Sequence, residues 1–291
     1  MVEQLRNPEN TLNWAWLRRA EYQAEVTALI TATAPQGVVT VTHMRSAHYA
    51  AYRVVTADGS SWVARVGITS PQDTAEPDNT GFLNTSTFSP SGQLREFTLS
   101  QGFAEAGGQV IPITSYHAEG ELDITWTPFL KDELGQFTAQ AWANALTSLW
   151  SYSPENTLPV FTNRAKTFTR LTKFPSAEES AYQAIYDEQL NELFLTATRW
   201  SVIHGDAHAE NALHHQGQVM LFDFDTACWG PSVWDLSHLI VRAGKGLNTG
   251  YDLEALLALT GFSSEEVMAT QKLRSTASLI SQEHHARYTK R

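Results

Sequence analysis

Tyr22, Val26, Leu29 and Ile30 recur at the spacing of one helical face, and Pro35 with Gly37 closes that helix before the β-branched run at 38–42. The stretch "AAYRVVTADGSSWVARVG" alternates apolar and polar positions on either side of Asp58-Gly59, a pair suited to the positive φ angles of a tight hairpin turn. Residues 38–67 therefore read as a three-strand antiparallel unit. Thr69 to Gly92 carries Pro, Asp, Asn, Ser and Thr with no sustained period and reads as a long mobile loop. A helix of about four turns follows in "QLREFTLSQGFAEAGG", stopped by Gly107-Gly108, with strands expected near 109–115 and 121–126.

The period then changes. Phe137, Ala141, Trp142, Ala145, Leu146 and Leu149 mark one helix, and Tyr182, Ile185, Tyr186, Leu193, Phe194 and Ala197 mark another. A division falls near 124–131, giving a sheet-containing region with a leading helix over 1–125 and a mostly helical region over 126–291. Within the helical region a single β-hairpin is expected: "VIHGDAHAEN", then "ALHH", a turn at Gln216-Gly217, and "VMLFDFD". Such a hairpin returns Asp206, Asn211, Asp223 and Asp225 to one neighbourhood, with the apolar "VMLF" buried up to Asp223. There is no internal repeat and no low-complexity tract.

Composition narrows the partners. A formal charge of -11, from 20 basic and 31 acidic residues, disfavours nucleic acid and suits a cationic small molecule. A single cysteine, Cys228, excludes an intramolecular disulfide and a cysteine-rich zinc site and reads as a packed side chain. The N-terminal stretch lacks the pattern of a signal peptide and no run approaches a membrane span, so a cytoplasmic location and no membrane partner are expected. Oligomeric state is not encoded in any of these patterns.

The polar cluster carries the chemistry. Phosphoryl transfer from a nucleotide needs a carboxylate to position the attacking hydroxyl and take its proton, and an Asn and an Asp to hold magnesium, a hard ion that favours oxygen donors. Asp206, Asn211 and Asp223 have that composition and spacing. Two hydrolase readings compete. "LFDFDTA" matches the Asp-x-Asp-x-Thr nucleophile signature of haloacid-dehalogenase phosphatases, but only 66 residues follow Asp225, mostly of helical pattern. Asp206 with His208 could belong to a metal-dependent phosphatase, yet no Gly-Asn-His or Gly-His-x-His stretch follows.

"HGDAHAEN" followed by "LFDFDTACWGPSVWDLSHL" resembles the aminoglycoside phosphotransferase and choline kinase family, relatives of protein kinases. The resemblance implies an α+β, protein-kinase-like two-lobed fold with a small antiparallel-sheet N-terminal lobe and a helical C-terminal lobe, and an ATP- and Mg2+-dependent kinase of a small molecule. It makes Asp206 the catalytic base, Asn211 and Asp223 magnesium ligands, and His204 and Asp235 braces of the loop. His208 takes a hydrogen-bonding role beside the site, and Asp225 is either a ligand or a solvated brace.

In the first half the resemblance places Arg65 of "WVARV" against the α- and β-phosphates and Glu96 of "LREF" as its helix partner. "ITWTPF", at 124–129, is similar to the segment that meets the purine, whereas the segment 42–50 departs from the kinase pattern in having no glycine. The acceptor it implies is an amine-bearing hydroxyl compound, an aminoglycoside or amino sugar first and a choline-like amino alcohol second. Acidic groups such as Glu178, Glu179, Asp187, Glu188, Glu192, Asp252, Glu254, Glu265 and Glu266 would favour a cation, though most read as solvated helix faces. A non-catalytic nucleotide- or sugar-binding pseudokinase remains the alternative outside catalysis.

Overall fold

The structure is a computed structural model and describes residues 20–46, 50–68, 93–120, 122–131, 137–154, 158, 160–161, 174–244 and 251–288. The expected loop at 69–92 lies outside them, as does the centre of segment 42–50. The described chain falls into two units. The first contains residues 20–68, 93–101 and 111–131, and the second contains 102–110 and 137–288.

The first unit is a five-stranded antiparallel sheet of order β1-β2-β3-β5-β4, built from β1 (Val38–Ser46), β2 (Ala50–Thr56), β3 (Ser61–Ile68), β4 (Ser115–Glu119) and β5 (Leu122–Pro128). Val26, Leu29 and Ile30 of helix α1 (Ala20–Thr33) are buried with Tyr52, Val54, Ala64, Val66, Ile124 and Trp126, so the helical stripe meets alternate positions of three strands. At the β2–β3 turn only Gly59 takes a positive φ, of 83°. Asp58 contributes its carboxylate instead, accepting from Ser60 N at 3.1 Å and Thr56 Oγ1 at 2.7 Å. These bonds hold its pKa below the ordinary value.

Two strand limits differ from expectation. The run at 109–115 is no strand: Val110 makes a single parallel bridge to Leu221, and β4 starts only at Ser115, where pairing with Trp126 begins. The strand expected over 121–126 is β5, whose ladder continues to the pair Trp62↔Pro128, and the first unit runs on to Lys131.

In the second unit, α3 (Ala139–Trp150) buries Trp142, Leu146 and Leu149, and α4 (Ser176–Thr196) buries Tyr186, Leu190 and Leu193. Ile185, expected on the inner face of α4, is instead 45% exposed, because Tyr186 one position on takes the core-facing angle. α5 (Ser237–Gly244), α6 (Leu253–Thr260) and α7 (Ser264–Tyr288) complete the described helices. Phe161, Tyr186, Leu193, Ile203, Trp234 and Leu273 share one core, which also takes in Cys228, a buried thiol as expected. No helix among the described residues is long and apolar enough to cross a membrane.

Candidate active site

Two short two-stranded sheets carry the polar cluster. β6 (Trp200–Ile203) pairs with β9 (Cys228–Pro231), and β7 (Ala212–His215) pairs with β8 (Gln218–Leu221) through a turn at Gln216 and Gly217, whose φ angles are 51° and 77°. Leaving β6, the chain enters His204-Gly205-Asp206. Gly205 has φ 82°, and a Cβ on it would lie 2.5 Å from the Thr226 carbonyl oxygen, so both the backbone angle and the space require glycine.

The loop is held from beneath. The buried Asp235 carboxylate accepts the backbone N–H of His204 at 3.0 Å and of Gly205 at 2.8 Å, and the Trp150 indole N–H at 3.0 Å. Burial pushes its carboxyl above the ordinary range, opposed by the His204 ring and by these N–H groups. His204 Nε2 lies 2.9 Å from the Phe222 carbonyl; because a carbonyl only accepts, that nitrogen carries the proton. Thr226 Oγ1 donates to the His204 carbonyl and Trp234 Nε1 to that of Gly205, at 2.9 and 3.0 Å. The backbone entering Asp206 is thus bonded on both its donor and acceptor sides.

Asp206 itself is 30% exposed. Its Oδ1 lies 2.6 Å from His238 Nε2 and 3.7 Å from the Arg274 guanidinium, while its Oδ2 lies 3.7 Å from His208 Nε2. Burial lowers the pKa of His238 to about 4; the Asp206 hydrogen bond opposes this, and Arg274 and His208 add to it. His208 is turned to structure: its Nδ1 accepts Glu210 N–H at 3.1 Å and caps the short turn Ala209–Asn211. Asn211 Nδ2 donates to the Asp206 carbonyl at 3.0 Å.

The hairpin brings Asn211 back beside Asp223. Ala212 pairs with Leu221, and one step outward Phe222 N–H donates to the Asn211 carbonyl at 3.1 Å. β8 ends at Leu221, so the chain leaves the ladder before Asp223, earlier than the apolar run suggests. Asp223 then adopts the left-handed conformation, φ 70° and ψ 56°, a strained choice for a residue other than glycine that costs on the order of 1–3 kcal/mol. Asp225 lies half-buried in the turn Phe224–Thr226 directly after it.

In the first unit, Arg65 NH1 meets Glu96 Oε1 at 2.6 Å, joining β3 to α2 (Gln93–Glu105), with Glu96 buried and Arg65 15% exposed. One turn earlier on that helix, Gln93 Nε2 donates to the Asp123 carboxylate of β5, and Thr125 Oγ1 donates to Gln93 Oε1 at 2.8 Å. The helix that carries Glu96 is thereby pinned to the sheet that carries Arg65.

All the sequence-expected residues of the second unit, His204, Asp206, His208, Asn211, Asp223, Asp225 and Asp235, occupy one loop-and-hairpin cluster, and Arg65 and Glu96 form the expected pair. Two neighbours of Asp206 lie outside the sequence expectation. His238 follows the Trp-Asp-Leu stretch by two residues, and Arg274 lies 68 residues beyond Asp206 on α7. Neither stands in a pattern that marks it; only packing of α5 and α7 brings them in.

A buried strand leads into a glycine-dependent loop presenting a carboxylate, and a hairpin follows that carries an Asn and an Asp. The model of the phosphotransferase enzyme family matches residues 46–266, and the chain belongs to that family. Similar folds include an aminoglycoside phosphotransferase from Streptomyces rimosus (13% identity, 89% of this chain and 99% of that one, TM-score 0.60). An amicoumacin kinase in complex with AMP-PNP, Ca2+ and Ami is also similar (16%, 90% and 79%, 0.57), as is a macrolide 2'-phosphotransferase from Brachybacterium faecium (14%, 93% and 94%, 0.54). No curated protein sequence gives a significant match.

Proposed function

We propose that the protein transfers the γ-phosphate of ATP to a hydroxyl of a small, amine-bearing molecule, in the cytoplasm, with Asp206 as the base. The observation that carries this reading is the presentation of Asp206: a partly exposed carboxylate on a loop whose flanking amides are tied to buried Asp235. A carboxylate held in this way orients an acceptor hydroxyl and takes its proton as the new P–O bond forms and the bond to ADP breaks. The AMP-PNP in the amicoumacin kinase complex supports ATP as donor.

Asn211 and Asp223 fit a magnesium ion. The Asn211 amide nitrogen is committed to the Asp206 carbonyl, so its oxygen, the hard donor, is directed away from that bond. Asp223 follows Phe222, whose N–H bonds the Asn211 carbonyl, and its carboxylate would supply the second oxygen donor. Bound there, the ion would neutralise phosphate charge. Arg65, oriented by Glu96, would contact the α- and β-phosphates.

For the acceptor the support is the surplus of acidic groups, some of which are already engaged. Glu178 pairs with Arg287 and Glu192 with Lys272, each at 2.6 Å. Asp252 caps α6. Glu266, expected on a solvated face, is buried and accepts from Thr198 and Ser263; burial raises its pKa, and these bonds outweigh it to leave the group below its ordinary value. The net charge of -11 still favours a cation over a neutral sugar.

The test is ADP release from Mg2+-ATP over paired amino and deoxyamino acceptors at two ionic strengths. The reading expects faster turnover of the amino partner, with acceptor binding weakened by salt. Equal turnover of the pair with no salt effect would discard the cationic acceptor. ATP binding without turnover of any hydroxyl compound would favour a pseudokinase.

A further inference from the structure

Resting on the reading of Asp206 as the base, we infer that His238 is a positioning residue for that carboxylate, with its tautomer set by Arg274. On the far side of the ring, Arg274 NH2 lies 2.8 Å from His238 Nδ1, and a guanidinium has only donors, so Nδ1 must present its lone pair. The one ring proton then sits on Nε2, which lies 2.6 Å from Asp206 Oδ1. Arg274, His238 and Asp206 thus form a directed chain in which each hydrogen bond runs toward the carboxylate. The ring is 21% exposed and its neighbours restrict it: His208 lies 5.0 Å away, centroid to centroid, and Arg274 is itself placed over the Trp234 ring at 5.7 Å.

The chain separates the two carboxylate oxygens. Oδ1 is engaged by His238, while Oδ2 lies 3.7 Å from His208 Nε2, beyond hydrogen-bond distance. The Oδ1 bond restricts rotation of the carboxylate and, with it, the position that Oδ2 can take toward an acceptor hydroxyl. A rotation of the carboxylate would move that oxygen off the line of attack, and misplacement of about 1 Å costs on the order of 100-fold in rate.

The same atoms could be read otherwise. Among the described residues, Asp206, His208 and His238 offer ligand atoms within 4.8 Å of one another, a spacing that could cage a metal ion. Arg274 tells against that reading. It holds the ring in the tautomer whose Nε2 bears a proton and cannot ligate, and it places a permanent positive charge 3.7 Å from the Asp206 oxygen.

The experiment has a spectroscopic and a kinetic arm. Long-range 15N–1H spectra of the histidine rings of the full chain at pH 7, with the His238 signals assigned by their loss in His238→Gln, should show a neutral ring protonated on Nε2. Arg274→Met should relax that preference. A ring protonated on Nδ1, or a ring whose signals shift on adding Zn2+ at equimolar concentration, overturns the inference.

In the kinetic arm, His238→Ala should lower kcat by about 100-fold with little change in the KM for ATP, and His238→Gln, which restores a donor near Nε2, should recover most of the loss. If His238→Ala does not fold, Arg274→Met takes its place, with an expected loss of kcat that largely disappears in the His238→Gln background. Unchanged kcat, or a loss that His238→Gln does not repair, overturns the positioning role. Failure of the base assignment looks different: Asp206→Asn would turn over normally while the His238 spectrum stayed as expected.

Discussion

The two polar sites, one in each unit, are built on opposite plans. Arg65 and Glu96 meet because two regular elements, β3 and α2, are locked together, and the Gln93–Asp123–Thr125 network makes the lock. Asp206 stands on irregular backbone and depends on groups from distant segments: Trp150, Asp235, His238 and Arg274. A site on regular elements takes its geometry from ladders and core packing. A site on a loop has to be given its geometry by side chains, and the burial of Asp235 and His238 is the structural cost of doing so.

Asp206→Asn should separate the plans most sharply. An amide of the same shape cannot take the proton, so phosphoryl transfer should fall by about a thousandfold while thermal unfolding and ATP binding stay near wild type. Normal turnover would remove the loop from the chemistry. Next comes a pH effect. The folded pKa of His238, about 4, lies below the ordinary 6.5, so between these values the unfolded chain binds a proton that the folded chain refuses. Stability from this group is fully present above 6.5, is lost as pH falls toward 4, and amounts to on the order of 3 kcal/mol. Asp206, His208 and Arg274 are the charged and titratable groups facing the ring. Urea denaturation at pH 4.5 and 7 should show the loss, and His238→Gln should flatten it.

The hairpin combines the two plans, with a regular ladder ending in a strained residue. Asp223→Ala should cost about 100-fold in turnover and shift the Mg2+ dependence, with Asn211→Ala milder because no charge is lost. A Mg2+ titration of turnover checks both. The smallest effect belongs to the regular-element site: Arg65→Ala should raise the KM for ATP about tenfold and leave the acceptor KM unchanged. Glu96→Gln should follow it in direction, since Arg65 then loses the charge that orients it. Equal changes in both Michaelis constants would mean that the pair acts through the fold and not through the nucleotide.

The contrast also explains what can be read from the sequence. Alternation and 3.6-residue periods locate β1 to β3, α2 and α3, because regular elements announce their faces locally; the Arg65–Glu96 pair on them is read only from the resemblance. The segment 109–115 misleads because Val110 is apolar and buried for a different purpose, a single bridge to Leu221. Ile185 misleads because, of the adjacent apolar residues Ile185 and Tyr186, only Tyr186 falls within the arc that α4 buries, with Leu190 and Leu193. On the loop, Asp206, Asn211, Asp223, His204 and Asp235 are visible as a local motif. His238 and Arg274 are not, because a helix surface carries many such residues and only the packing of α5 against α7 selects these two.

The central claim, that Asp206 directs a nucleotide phosphate onto a hydroxyl, is tested most directly by following the phosphorus. 31P NMR of Mg2+-ATP incubated with the enzyme and an amino-sugar acceptor should show ADP and a phosphomonoester rising in equal amounts, with the monoester lost in Asp206→Asn. Release of inorganic phosphate in place of the monoester, or a monoester formed as fast by Asp206→Asn, would contradict it.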